Sequence, residues 1–172
     1  GGGLPSSPPS PSIVIDKFPF SSDTLATSVG NLTQSRFILA GQSSTVSGYS
    51  SGGQSPPGSN VIDKFSFSSD ANATDVGDMT RSGFGPSGQS STVSGYNSGG
   101  PGSNVIDKFP FASDTNATDV GDITQGRYGA AGQSSIQSGY LSGGGTPTNT
   151  NIIEKFPFTT DTNATDVGDL TV

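Results

Sequence analysis

Each repeated stretch of the chain carries three carboxylates close together, and these are the first candidates for chemistry. One set is Asp114, Asp119 and Asp122. Calcium binds several oxygen ligands at once, so a cation site is one interpretation. The spacing is not that of an EF-hand loop, and one copy keeps a single carboxylate; the other sets read Asp70, Asp75, Asp78; Asp161, Asp166, Asp169; and Asp23, Ser28, Asn31. Turn chemistry, in which Asp and Asn side chains bond to nearby backbone, is therefore favoured, and no metal or other cofactor is predicted.

A second pattern is an acidic residue followed directly by a lysine. It occurs four times with the same charges: Asp16-Lys17, Asp63-Lys64, Asp107-Lys108, Glu154-Lys155. Because side chains alternate along a strand, the acid and the lysine point to opposite faces. We expect the acid of one unit to pair with a lysine of a neighbouring unit, as in Asp63 with Lys108 or Lys17. The alternative is that both groups lie at exposed strand ends and pair weakly.

Aromatic residues form the third pattern. Tyr49, Tyr96 and Tyr140 recur at equivalent places, and aromatic rings with a polar tip suit carbohydrate stacking. Packing inside the fold is the favoured interpretation for these tyrosines. Pairs of phenylalanines two residues apart share a strand face and are predicted to be core: Phe18/Phe20, Phe65/Phe67, Phe109/Phe111, Phe156/Phe158.

The composition excludes several classes of function. The chain has 172 residues, with 7 Lys and Arg, 14 Asp and Glu, and neither His nor Cys. Without His or Cys there is no zinc site of the usual kind, no thiol nucleophile and no Ser-His-Asp triad, and we expect no enzymatic activity. A net charge of −7 with scattered cations argues against nucleic acid as a partner. No apolar run is long enough to insert into a membrane.

These residues must be positioned by a repeated unit. The acidic residue of the acid-lysine pattern recurs as Asp16, Asp63, Asp107 and Glu154, at intervals of 47, 44 and 47 residues. The tyrosines follow the same rhythm, so the change in length has a single location. It falls in a Gly/Pro/Ser stretch that is predicted to be a surface loop: residues 54–59, 101–103, 145–150.

Each unit contains four strand-like segments separated by Gly-rich or Asn-bearing turns. In the second unit we predict strands over residues 82–89, 91–98, 105–113 and 117–124. Four antiparallel strands in a repeat of 44–47 residues are typical of a β-propeller blade. The predicted fold class is therefore all-β, built of propeller blades.

The units resemble kelch repeats, which pair a double glycine at a strand end with an aromatic residue three positions earlier. Here the sets are Tyr49, Gly52, Gly53; Tyr96, Gly99, Gly100; and Tyr140, Gly143, Gly144. An upstream Arg followed by an aromatic also fits, as in Arg36-Phe37 and Arg127-Tyr128. Two departures are the missing Trp of the last strand and Gly83, which stands where the second unit should have its Arg. The hairpin 68–74 resembles the Asp-box of sialidases without its closing aromatic.

The resemblance implies about three and a half blades. The expected divisions are a loop over 1–12 from a preceding blade, a half blade over 13–34, and blades over 35–80, 81–124 and 125–172. Three and a half blades do not close a ring. We therefore expect a part of a larger propeller, completed by further copies or by other blades of the same chain.

The repeated sequence motifs are also similar to those of repeat proteins of marine bacteriophages. Together these features predict a non-enzymatic structural or adhesive module at a virion surface, such as a tail fibre, spike or decoration protein. Its loops would bind other virion proteins or a cell-surface glycan. The alternatives are an extracellular ligand-binding propeller unrelated to virions, and a glycan-active propeller enzyme whose site lies elsewhere.

Overall fold

The computed structural model describes residues 11–55 and 57–171, and within these ranges all regular structure is β. Sheet 1 pairs two antiparallel strands, β1 (Ser12–Lys17) and β2 (Thr27–Arg36). Sheet 2 is a four-stranded antiparallel meander of β3 (Ala40–Ser43), β4 (Ser47–Ser51), β5 (Val61–Ser66) and β6 (Thr74–Asp78).

The same meander occurs twice more. Sheet 3 contains β7 (Ser87–Ser90), β8 (Ser94–Ser98), β9 (Val105–Pro110) and β10 (Thr118–Asp122). Next come β11 (Ala131–Ser134), β12 (Ser138–Ser142) and a small hairpin of β13 (Gly145–Thr146) with β14 (Thr148–Asn149). Sheet 4 joins β11 and β12 to β15 (Ile152–Pro157) and β16 (Thr165–Asp169). The predicted all-β class and the four antiparallel strands per unit are confirmed.

The first strand of sheet 3 begins later than the sequence predicts. In sheet 3 the prediction began at residue 82, whereas β7 begins at Ser87. The intervening segment contains Gly85, which has a left-handed φ of 65°, and Pro86, which has no N–H for a ladder. The approach to the sheet is therefore a loop and not a strand.

The stretch of variable length differs between units. In the last unit it includes the β13–β14 hairpin, where a surface loop was predicted. In the unit before it, residues 101–103 are too few for a hairpin. Pro56, most of the predicted loop 1–12 and the end of the 125–172 division at Val172 lie outside the described residues.

The core lies between successive sheets. One cluster of buried side chains joins sheets 2 and 3, and a second joins sheets 3 and 4; the members are Tyr49, Ile62, Met79, Phe109, Ala117, and Tyr96, Ile106, Ile123, Leu141, Phe156, Ala164. A single meander cannot bury both of its faces, so each sheet is stabilised by its neighbour.

The prediction that every phenylalanine pair is core is wrong for three members. Phe18, Phe20 and Phe67 are 60%, 99% and 47% exposed. Phe109 and Phe156, in contrast, are buried because a tyrosine of the preceding sheet packs against each ring. No preceding sheet supplies such a ring to sheets 1 and 2 in the described part of the chain.

Glycines bring the first strands of successive sheets into close contact. A methyl group at Gly88 would overlap the carbonyl oxygen of Gly41, and one at Gly132 would overlap that of Gly88. The second and third strands instead contribute large aromatic rings to the space between sheets. The distance between neighbouring sheets is thus set by backbone contact at the first strands and by aromatic rings at the second and third strands.

Candidate interaction surface and the interfaces between sheets

The acidic residue of β5 binds two residues near the end of β2, the strand that precedes its own sheet. The Asp63 carboxylate lies 2.7 Å from Nη2 of Arg36, and both side chains are fully buried. Thr33 donates to the same carboxylate from its hydroxyl at 2.6 Å and from its backbone N–H at 3.1 Å. The predicted pairing of Asp63 with Lys108 or Lys17 is wrong, because Arg36 and Thr33 occupy the carboxylate and Lys108 points away, toward sheet 4.

The lysines do form ion pairs between sheets, but with other carboxylates. Three of the four lysines of this pattern reach the first aspartate of the hairpin in the following sheet: Lys17–Asp70 at 3.0 Å, Lys64–Asp114 at 2.9 Å, Lys108–Asp161 at 2.9 Å. Hydrogen bonding to these aspartates raises the pKa of Lys64 and of Lys108. These pairs are partly solvent-exposed, so each contributes little to stability.

Two of the three repeated carboxylates have different roles. Asp114 pairs with Lys64, and Asp119 accepts a hydrogen bond from the N–H of Gly121 at 3.1 Å in an Asx turn. Local turn chemistry thus holds for Asp119 and not for Asp114. In the described ranges no group of three or more Asp, Glu, His or Cys side chains is placed to hold a metal ion.

The hairpin asparagine attaches each sheet to the one before it. Asn116 Oδ1 accepts from the N–H of Asp78 at 3.0 Å, and Ala117 N–H donates to the carbonyl of Asp78 at 2.8 Å. The same two bonds recur at the neighbouring interfaces, where the asparagines are Asn72 and Asn163. The predicted turn role of this asparagine is replaced by a contact between sheets.

Two of the three landmark tyrosines are enclosed between sheets. Tyr49 stacks on Phe111 with ring centroids 4.8 Å apart, and Tyr96 stacks on Phe158 at 4.7 Å. Burial raises the pKa of both phenols. Tyr140, on the outer face of sheet 4, is only half-buried. A sugar-stacking platform of three exposed tyrosines is thereby excluded.

The double glycines turn the chain after each second strand. All of them have φ in the left-handed region: Gly52 64°, Gly53 105°, Gly99 75°, Gly100 127°, Gly143 67°, Gly144 93°. Residues with a Cβ are strained there, so only glycine makes this turn without cost. The carbonyl of the first glycine accepts from an arginine in two units: Gly52 from Arg36 Nη1 at 2.9 Å, and Gly99 from Arg81 Nη2 at 3.3 Å.

Sheet 3 lacks the arginine that anchors the other two four-stranded sheets. Glu154 of sheet 4 lies 2.6 Å from Nη2 of Arg127, but the equivalent position in sheet 3 is Gly83. Asp107 is only 2% exposed and accepts two hydrogen bonds from Thr80. Burial raises the pKa of the Asp107 carboxyl, and the Thr80 bonds oppose this. Arg81 reaches the carbonyl of Gly99 at 3.3 Å and makes no salt bridge to Asp107.

A surface that the sequence reasoning missed lies at the tips of the first hairpins. The tip loops are residues 44–46, 91–93 and 135–137, and they border one shallow depression of about 490 Å³. Each presents an exposed aliphatic residue beside hydroxyl groups: Val46 67%, Val93 67%, Ile136 84% exposed. The signal in the sequence is the repeated Ser-Ser-Thr-Val, with Ser-Ser-Ile-Gln in the last copy.

No protein-family model matches the chain, and no curated protein is significantly similar to it. Among the described residues no helix has the length and apolar character needed to cross a membrane.

Proposed function

We propose that the chain is a non-enzymatic adhesive module that presents its tip loops to a glycan or protein at an extracellular or virion surface. The three tip loops at one depression support this proposal most directly, because each offers hydroxyl groups beside an exposed aliphatic residue. Such repeated sites favour multivalent binding, in which weak contacts at several loops add to useful avidity. The proposed virion context rests on the resemblance of the repeats to those of bacteriophages.

We further propose that the four-stranded sheets are blades of a kelch-type β-propeller, completed by further copies or by other blades. The close first strands and the ring-filled space further out support a fan of sheets around a common axis. Electron microscopy of the purified assembly tests this arrangement. Discs with a central channel are expected, whereas straight filaments of stacked sheets would contradict a closed ring.

A glycan array with the labelled chain tests the adhesive role. The decisive variant combines Val46→Ser, Val93→Ser and Ile136→Ser, and Val167→Ser is the control because Val167 is 52% exposed away from the tips. We expect the triple variant to lose the retained glycans while the control keeps them. Retention that survives the triple variant, or turnover of a bound glycan, would contradict the proposal.

A further inference from the structure

Sheet 3 contains an acceptor-lined cavity at the place where its neighbours hold a guanidinium group. The cavity measures about 30 Å³, more than the ~10–15 Å³ that one water molecule needs. Its lining includes Arg81, Gly83, Asn97, Gly99 and Asp107. Met79 and Phe84 also line it, so the cavity has a mixed polar and apolar wall inside an otherwise repeated structure.

The occupied copy of this cavity in sheet 2 shows which chemistry the position is built for. Arg36 donates there to three carbonyl oxygens, those of Gly52 at 2.9 Å, Val61 at 2.8 Å and Ser50 at 2.9 Å. Its other two partners are the Asp63 carboxylate and the Ser59 hydroxyl, the latter at 3.4 Å. The site is thus a cradle of one carboxylate, three carbonyls and one hydroxyl around a planar cation.

The equivalent acceptors in sheet 3 keep their places without that cation. By repeat position the carbonyls are those of Gly99, Val105 and Asn97, and the carboxylate is Asp107. Arg81 supplies only one bond, to Gly99. The Asn97 side chain lines the cavity at 2% exposure, and its Oδ1 has no hydrogen-bond partner among the described residues. Arg81 Nε is buried without a partner among the described residues as well. An unpaired buried polar atom is costly, and a donor from outside would satisfy Asn97 Oδ1.

The charges around the cavity also favour a cation. Arg81 is the nearby positive charge, and it lies in the field of three carboxylates, Asp107, Asp119 and Asp122. One cation among three anions leaves the surroundings negative. A second cation can therefore enter without a net repulsion.

We infer that this cavity is a binding site for a small planar cation of the guanidinium class, seated between Asp107 and Asn97. The inference does not depend on the proposed adhesive function. Guanidinium donates several coplanar hydrogen bonds, which match carboxylate and carbonyl acceptors better than a spherical ion does. Free guanidinium and the head of an arginine side chain share this chemistry.

Thermal unfolding in millimolar guanidinium chloride, against equal sodium chloride, tests the inference. We expect guanidinium to raise the melting temperature of the natural chain by about 2–4 °C, since a ligand that binds only the folded state stabilises it. L-Argininamide distinguishes the sources: a similar rise with it shows that an arginine head enters, and a rise with guanidinium alone restricts the site to the free ion.

Two variants serve as matched controls. Arg81→Gln with Gly83→Arg recreates the Gln–Arg spacing of Gln34–Arg36 and Gln125–Arg127, and a side chain at Gly83 meets no atom within 4 Å of its Cβ. Asn97→Leu copies Leu141 of sheet 4 and removes the unpartnered acceptor. Both should lose the guanidinium response. The inference is overturned if the natural chain responds no more than these variants, or responds equally to sodium chloride.

Discussion

At the scale of single residues, the position of a charge decides what it contributes. The acidic residue of each third strand is enclosed, whereas the lysine beside it lies at the rim of the next sheet. Breaking a buried ion pair leaves an uncompensated charge in a medium of low dielectric constant, which costs far more than losing an exposed pair. Two adjacent residues of opposite charge therefore have very different importance for stability.

Asp63→Asn and Lys64→Ala test this difference directly. Asp63→Asn leaves the Arg36 guanidinium buried without its counter-charge and should lower the free energy of unfolding by about 3–5 kcal/mol. Lys64→Ala removes a partly exposed pair and should cost about 0.2–1 kcal/mol. Urea denaturation of both variants measures the difference. Equal losses would show that the Asp63 pair is not enclosed in solution.

Asp107 gives a prediction on pH dependence. Burial raises the pKa of this carboxyl in the folded state, so the folded chain holds its proton more tightly than the unfolded chain does. Stability linked to Asp107 is therefore complete below the ordinary Asp pKa and falls as pH rises through the raised one. Asp107→Asn should gain stability relative to the natural chain between acid and neutral pH. Urea midpoints across that range measure it, and a difference independent of pH would contradict the raised pKa.

At the scale of elements, the sequence was sufficient for the four main strands of each unit, though not for all their bounds, and insufficient for the contacts between sheets. The repeats and the alternation of Val61 to Phe65 predicted four strands per unit and placed Asp63 and Lys64 on opposite faces. The carboxylate that a lysine contacts depends on how far the hairpin of the next sheet reaches toward the lysine's own sheet. That distance is set by the stacking of the sheets, and no local pattern in the sequence indicates it.

The close approach of the first strands gives a prediction with an internal control. Gly41 and Gly88 hold the same place in successive sheets, but a Cβ at Gly41 meets nothing within 4 Å. A Cβ at Gly88 would overlap the Gly41 carbonyl, so Gly88→Ala should cost about 1–3 kcal/mol by overpacking. Gly41→Ala should change stability by less than about 0.5 kcal/mol. Comparable losses for both variants, measured by chemical denaturation, would contradict the stacking of the first strands.

At the scale of the whole molecule, identical motifs have different surroundings at the two ends and in the middle. Phe65 and Phe109 belong to the same repeated motif, yet only Phe109 is packed against a tyrosine of a preceding sheet. A sequence repeat predicts equal burial, and stacking removes that equality wherever no neighbour covers a face. The anchoring Arg36–Asp63 pair was likewise missed, since an upstream Arg gives no sign of its partner.

Tyr96 and Tyr140 allow the contribution of a covering sheet to be measured. Tyr96 is 2% exposed between sheets 3 and 4, whereas Tyr140 is half-buried on the outer face. Tyr96→Ala should cost about 3–5 kcal/mol because it leaves a large cavity, and Tyr140→Ala should cost markedly less. Denaturation midpoints of the two variants give the comparison. A larger loss at Tyr140 would contradict the packing of sheet 4 over Tyr96.

The central claim is that successive four-stranded sheets pack face to face through rows of aromatic rings. Nuclear Overhauser contacts between assigned tyrosine and phenylalanine rings test it most directly, and the chain has 4 Tyr, 10 Phe and no Trp to assign. We predict contacts from Tyr49 to Phe109 and Phe111, whose ring centroids lie 5.5 and 4.8 Å away. The same pattern should join Tyr96 to Phe156 and Phe158. Tyrosine contacts confined to the tyrosine's own sheet would contradict the claim.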